Sequence, residues 1–318
     1  MHHTRGLTGA VKQRTVDQPI VHYSTSLMAC FGSKTYLLCR GKGSEVDVDP
    51  HCYPFYTLRC QVGSINTPKR TAVITGGSSG IGRAVAETWL QSGPSAQAVI
   101  LDRNVSAMAE FPKSLAERTR CIQVDITSTA EVNAAFADIA ATEGSLAALV
   151  ACAGISRPVA TAEMTDDDWM SLIDVHLHGT MRVCRAAYEL LRRDEPGSIV
   201  TISSIASALG MPKRASYNTA KTAIEGFTRS LAVEWAPDGI RANAVAPGYV
   251  TTPFTDDLAA AGKLQTKPIT DRTPLGRFAS PQEIAKPIVW LLSNGASYIT
   301  GHTLRVDGGL SIDGNWYE

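Results

Sequence analysis

The chain has 318 residues, 44% of them hydrophobic and 19% charged, with 30 basic and 30 acidic side chains and a formal net charge of zero. That balance argues against nucleic acid or an acidic membrane surface as partner. No uninterrupted apolar run reaches the length a bilayer span needs, so a soluble globular protein of one large or two small domains is expected.

Residues 1–66 differ in character from the rest. They mix His, Tyr, Cys, Gly and charge without a sustained period. Up to residue 44 they carry six basic side chains (Arg5, Lys12, Arg14, Lys34, Arg40, Lys42) against one acidic one, Asp17. They are read as a poorly ordered N-terminal extension, with an organelle leader as the alternative. The location expected is cytoplasmic, or an organelle in that second case. Of the seven cysteines none forms a C-x-x-C pair, and the spacings of Cys30, Cys39, Cys52 and Cys60 fit no zinc pattern. No metal is expected. Cys121, Cys152 and Cys184 lie in apolar stretches and read as small core residues.

From residue 67 to 318 a single catalytic domain is expected. "TAVITGG" (71–77) reads as a strand ending in Gly, and "IGRAVAETWLQSG" (81–93) as the helix that follows. Further strands are predicted at 98–102, 121–126, 146–154, 198–204, 240–247 and 303–309, and helices near 105–118, 128–142, 165–192, 216–236 and 280–293. The last opens with Ser280, Pro281 and Glu283, a capping box with Pro at the first helical position. Continuous apolar strands alternating with helices predict an α/β fold. Its core is a doubly wound, seven-stranded parallel sheet, Rossmann-like, with helices on both faces.

"TGGSSGIG" (75–82) lies between the first strand and the first helix, the context in which a glycine-rich string binds a dinucleotide. Gly76 and Gly80 allow a tight turn and close approach to a pyrophosphate, and Gly82 allows helix and strand to pack closely. Ser78, Ser79 and Ile81 complete the loop, and the helix N-terminus faces the phosphates. Asp102, ending the second strand, suits the ribose hydroxyls and would repel a 2′-phosphate. NAD is therefore the expected cofactor and NADP the alternative. Arg103 dissents, since a guanidinium can hold a 2′-phosphate. Asp125, with Ile126 beside it, faces the adenine edge or caps the turn into the next helix.

These motifs, with "ACAG" at 151–154, the set Ser204, Tyr217 and Lys221, and "PGYVTT" at 247–252, resemble the short-chain dehydrogenase/reductase family in its one-domain form. The resemblance covers about Lys69 to Gly309. A Tyr with a Lys four positions on, as in "YNTAK" (217–221), is weak evidence alone. Joined to a strand-end Ser 13 residues earlier, it has the family's own spacing. Tyr217 and Lys221 then share one helix face, buried by the 220/224/227/231 apolar stripe. The resemblance implies that Tyr217 exchanges a proton with the substrate oxygen while hydride passes between substrate and nicotinamide. Ser204 holds that oxygen. Lys221 holds the nicotinamide ribose, and its charge together with that of an oxidised nicotinamide draws the phenol down from about 10 toward neutrality, roughly 4 kcal/mol. It further implies that Ala153 and Gly154 approach the adenosine, and that Pro247 and Gly248 turn the chain to bring Val250 and Thr252 onto the nicotinamide side.

Two departures stand out. Ala151 and Cys152 replace the family's common pair of Asn residues, and His176 stands where the family places a catalytic Asn. The main-chain carbonyl of His176 could take over that Asn's water-holding role, or the imidazole itself could join the proton relay. Pocket walls are expected from Ile155, Ile205, Ala206, Leu209, Met211, Tyr249 and a mobile stretch at 253–275. They suggest a small uncharged secondary alcohol or ketone, although Lys213, Arg214 and Lys263 lie near. NAD leans toward the oxidative direction. The rivals are an NADP-dependent 3-oxoacyl thioester reductase and, from another class, a non-catalytic dinucleotide-binding regulator. The resemblance implies a homotetramer or homodimer.

Overall fold

The computed structural model describes residues 69–193, 197–260, 262 and 264–314, together with two short strands nearer the amino end. The chain divides into two units, Met1–Thr67 and Pro68–Glu318. In the first, β1 (Met28–Phe31) pairs antiparallel with β2 (Lys34–Leu37). The reading of residues 1–66 as a disordered extension or leader otherwise lies outside the described residues.

In the second unit the seven apolar runs are strands: β3 (Arg70–Thr75), β4 (Ala96–Asp102), β5 (Thr119–Gln123), β6 (Ala148–Ala151), β7 (Ser198–Ile202), β8 (Arg241–Pro247) and β9 (Thr303–Val306). They form one sheet in the order β5-β4-β3-β6-β7-β8-β9, parallel throughout. The helices, in chain order, are α1 (Gly80–Gln91), α2 (Lys113–Ala116), α3 (Thr129–Glu143), α4 (Asp166–Ile173), α5 (Gly179–Leu191), α6 (Ala215–Glu234), α7 (Pro253–Ala260), α8 (Thr266–Asp271) and α9 (Pro281–Leu292).

Because strand side chains alternate, each strand feeds two cores. Ile74, Ile100 and Val200 pack with Val85 and Trp89 of α1 and Ile284 and Ile288 of α9. Val73, Val99 and Ile199 pack on the other face with Phe136 of α3, Val183 of α5 and Leu231 of α6. Both faces are therefore covered, and this is why the strands read as unbroken apolar runs. The winding reverses between β3 and β6, which opens a crevice at the carboxyl ends of those strands.

At the opposite, amino rim two arginines collect backbone carbonyls in and around the ends of α1 and α9. Arg118 Nη1 donates to the carbonyls of Leu90, Gly93 and Ala96 at 2.8, 2.9 and 3.2 Å. Arg241 donates to those of Leu291, Ile299 and Ser293 at 2.8, 3.3 and 3.1 Å.

Three segments differ from expectation. The helix predicted over 165–192 is α4 and α5 joined by a widened π turn at Asp174–His178. The stretch 105–118 holds only a 3₁₀ turn, Ser106–Glu110, and the four-residue α2. The stretch 253–275 contains α7 and α8. The box opening α9 forms as predicted, the Ser280 side chain accepting from the Glu283 N–H and the Glu283 carboxylate from the Ser280 N–H.

Candidate active site

The loop after β3 is shaped by near-contacts that only glycine permits. Gly76 has φ +67°, and a Cβ on it would lie 2.8 Å from the Ala153 Cα. A Cβ on Gly82 would lie 2.2 Å from the Gly76 carbonyl oxygen, so α1 can start here only without a side chain. Thr75 Oγ1 accepts from the N–H groups of Cys152 and Ala153 at 3.0 and 3.1 Å, fastening the loop after β6 to this turn. The N-cap of α1, Ser79, supplies no side-chain bond, and the first turn carries no acid. Its orphan N–H groups face a cleft of about 360 Å³ lined by Gly76, Ser79, Gly80, Ile81, Gly82, Asp102, Asp125, Ile126, Ala153, Gly154, Lys221 and Thr252, among others. A glycine cradle with uncapped donors suits the pyrophosphate of a dinucleotide.

Ser78 is buried and does not line that cleft; it holds Asp102 instead. Asp102 Oδ2 accepts from the Ser78 N–H at 3.1 Å and its hydroxyl at 2.5 Å, and Oδ1 accepts from the Asn104 N–H at 3.0 Å. The carboxylate is thus fixed at the cleft edge with lone pairs to spare. Arg103 and Asn104 line the same edge. Asp125 Oδ1 accepts from the Thr127 N–H and hydroxyl at 2.9 and 2.7 Å. Those bonds hold its carboxyl below the usual range. Asp125 therefore caps the turn toward α3 while also lining the cleft.

The catalytic candidates converge at the far end of this cleft. Ala220, Ile224 and Leu231 bury one stripe of α6, and the same helix turns Tyr217 and Lys221 toward the sheet edge. Ser203 Oγ pins α6 to β7 through the Lys221 carbonyl (3.2 Å) and Glu225 Oε1 (2.9 Å). Lys221 Nζ donates to the Ile202 carbonyl at 2.7 Å and stands 5.6 Å from the centre of the Tyr217 ring. Ser204 lies two residues beyond β7, where its Oγ accepts from the Ala206 N–H at 3.1 Å and caps a 3₁₀ turn. Ser204 and Tyr217 line the same small pocket, and the hydroxyl is near enough to pull on the phenol.

Burial raises the Tyr217 phenol above its ordinary value, against the pull of the Ser204 hydrogen bond and then of the Arg214 charge. Burial also lowers the Lys221 ammonium to about 8, with Cys152 opposing.

His176 sits in the π turn, 3% exposed. Its Nε2 lies 2.8 Å from the Ile155 carbonyl oxygen and 3.1 Å from the Ile155 N–H; the shorter contact assigns it the proton. Nδ1 then faces no partner among the described residues. Burial, followed by the Lys221 charge, pushes this imidazole down to about 3. At about 3 it is neutral across the physiological range, which accords with the packing reading of this imidazole. Its ring meets the Tyr217 ring edge-on, centres 5.4 Å apart. The His176 carbonyl accepts from Thr180 Oγ1 at 2.6 Å.

A smaller pocket of about 160 Å³ adjoins the cleft. Ser204, Ile205, Met211, Arg214, Tyr249, Pro247, Gly248 and Val250 line it, and Ile81, Ile202, Tyr217 and Thr252 line both spaces. Ile155 belongs to the cleft, whereas Ala206 and Leu209 border a separate surface groove. Sequence reasoning missed Asn104, placed Thr255 in the pocket only as part of the stretch 253–275, and treated Cys152, a cleft residue, as core. Among the described residues there is no group of three or more His, Cys, Asp or Glu able to hold a metal, and no helix long and apolar enough to cross a membrane.

The fold and this Ser–Tyr–Lys cluster beside a dinucleotide cleft define a nicotinamide-dependent oxidoreductase class. The chain belongs to the short-chain dehydrogenase/reductase family. Residues 76–311 match the family described as "Enoyl-(Acyl carrier protein) reductase". It is 39% identical over 244 residues to an uncharacterized short-chain type dehydrogenase/reductase of Sinorhizobium fredii; the match covers 76% of this chain but spans 44% of that protein. It is 36% identical to a cis-4-hydroxycyclohexanecarboxylate dehydrogenase of Sinomonas cyclohexanicum (76% of this chain, 96% of the relative). It is 34% identical to a 3-oxoacyl-[acyl-carrier-protein] reductase of Salmonella typhimurium (76% and 97%). Among solved structures, a Brucella melitensis protein titled a glucose/ribitol dehydrogenase of this family superposes with a TM-score of 0.70 at 37% identity, covering 76% of this chain and 96% of that one.

Proposed function

We propose that this protein interconverts a small secondary alcohol and the corresponding ketone with NAD. The observation that carries the reading is the position of Tyr217, beside Ser204 in the small pocket and lining the dinucleotide cleft as well. When bound, the nicotinamide accepts or supplies the hydride. Ser204 offers a hydroxyl to the substrate oxygen, and Tyr217 exchanges a proton with that same oxygen. A phenol raised by burial is protonated at neutral pH, ready to donate to a carbonyl; removing a proton from an alcohol requires the phenolate and gains with rising pH. Lys221, buried against the Ile202 carbonyl, would hold the nicotinamide ribose hydroxyls.

The choice of NAD rests on Asp102, which Ser78 and Asn104 hold at the cleft edge where a 2′-phosphate would meet a fixed negative charge. Arg103, and the likeness to a 3-oxoacyl thioester reductase, keep NADP as the second reading. A homo-oligomer accords with apolar side chains left exposed on α4 and α6, Met170 at 50% and Val233 at 79%; light scattering tests it.

The test is turnover. Purified protein is mixed with NAD or NADP and a panel of secondary alcohols, and reduced nicotinamide is followed by absorbance. Turnover with NAD, abolished in Tyr217→Phe while dinucleotide binding persists, is the expected result. Turnover with NADP alone overturns the cofactor choice, and an active Tyr217→Phe overturns the mechanism.

A further inference from the structure

The small pocket holds a cation with no anion of its own. Arg214 is half-buried on its wall, and its Nη1 donates to Ser156 Oγ. No carboxylate among the described residues lies within ion-pair distance of it. A guanidinium carries five donors in a planar fork that matches a carboxylate, and one hydroxyl leaves most of them unused. The guanidinium carbon lies 5.9 Å from the centre of the Tyr217 ring, close to where the substrate oxygen must sit.

The backbone before it is held in an unfavourable shape. Lys213 has φ +62°, the one positive value at a non-glycine position among the described residues, and its carbonyl accepts from the Val159 N–H at 3.1 Å. A long side chain is disfavoured in the left-handed region, where its Cβ crowds the following carbonyl oxygen. Strain of this kind gathers where a fold must aim a neighbouring group. Here the neighbour is Arg214, aimed into the pocket and braced from the opposite loop by Ser156. Its field also reaches Tyr249 on the same wall.

We infer that Arg214 is a specificity-determining residue that binds an anionic group of the substrate, a carboxylate, beside the reacting carbinol. This revises the expectation of an uncharged substrate. The class indicated is a hydroxy- or oxo-carboxylate with the two functions a short span apart. A guanidinium–carboxylate fork on one side and the Ser204–Tyr217 pair on the other would fix the alcohol carbon in one orientation.

The inference rests on the oxidoreductase reading for its choice of substrate, yet it fails separately. Calorimetry on the full chain saturated with NAD measures cyclohexanecarboxylate against the neutral cyclohexanecarboxamide. Wild type is expected to bind the carboxylate at least tenfold more tightly. Arg214→Gln should erase that preference while leaving carboxamide affinity and melting temperature unchanged, and Arg214→Lys should restore part of it. Equal binding of the two ligands by wild type, absence of binding included, or a preference that survives Arg214→Gln, overturns the inference. So does an equal loss for both ligands with a lower melting temperature, which would make Arg214 a brace for the Ser156 loop. Turnover of cyclohexanol and 4-hydroxycyclohexanecarboxylate on the same samples separates the two ideas. NAD-dependent turnover of both at equal kcat/KM leaves the oxidoreductase and sinks the carboxylate. A carboxylate preference in binding, with turnover persisting in Tyr217→Phe, does the reverse.

Discussion

Replacing Lys221 by Met should alter how stability responds to alkali. Met keeps the length and apolar stem of the side chain but removes a titrating amine that is 5% exposed. In the folded protein burial lowers this amine from 10.5 to about 8, whereas the unfolded chain titrates at the ordinary value. Below pH 8 both states carry the proton, and the folded state bears the full cost of a buried charge. Between about pH 8 and 10.5 the unfolded chain holds a proton the folded one has released, so folding gains stability as pH rises. At about 1.4 kcal/mol per pH unit, the wild type should gain on the order of 2–3 kcal/mol over Lys221→Met across this window. Neighbouring groups do not blur the comparison. The Cys152 thiol is pushed up to about 12 and the Tyr217 phenol is raised, so both stay neutral through most of the window. Urea denaturation of the two proteins at pH 7, 8, 9 and 10 gives the difference directly. The loss of the bond to the Ile202 carbonyl offsets the two curves by a constant and leaves their slopes untouched. Parallel stability curves up to pH 10 would show that Lys221 is not held in a low-dielectric site, and the argument would fall.

His176→Asn should leave the pH–rate profile between pH 5 and 9 in place, because the imidazole at about 3 is neutral across that range; a displaced limb in steady-state kinetics would return His176 to the relay. Gly154→Ala should destabilise the fold by about 1–3 kcal/mol by overpacking, since its Cβ would lie 2.5 Å from His176 Cε1. Adding His176→Ala should recover most of that loss, and additive effects in a denaturation cycle would contradict the contact. Asp102→Asn should raise affinity for NADP relative to NAD by tenfold or more, read by fluorescence titration, while the Ser78 bond to the side-chain oxygen persists; an unchanged ratio would transfer cofactor choice to Arg103.

The sheet was legible because strands buried on both faces need unbroken apolar runs, and all seven were found near their observed limits. The first glycine loop was legible for a related reason, since a strand, a glycine turn and a helix leave a local pattern. What escaped depends on contacts across the fold. The π turn at Asp174–His178 interrupts no period that side chains display, so 165–192 read as one helix. The helices α7 and α8 are short and partly polar, with Pro253 opening the first and Pro268 inside the second, so 253–275 showed no helical period and read as a mobile stretch. Ser204, Tyr217 and Lys221 were named through the family resemblance, whose spacing they match. Arg214, only three positions before the tyrosine, gained its place in the pocket through the left-handed backbone at Lys213 and a serine 58 residues away. Neither is written in a local pattern.

The two arginines that gather carbonyls at the amino rim have a consequence for how this chain can change. Arg118 and Arg241 clamp helix ends on the side of the sheet farthest from the cleft, while the loops that meet cofactor and substrate hang from the other side. Part of the scaffold's fastening therefore lies on a border that recognition does not use. Loops on the recognising border can vary without disturbing these two clamps.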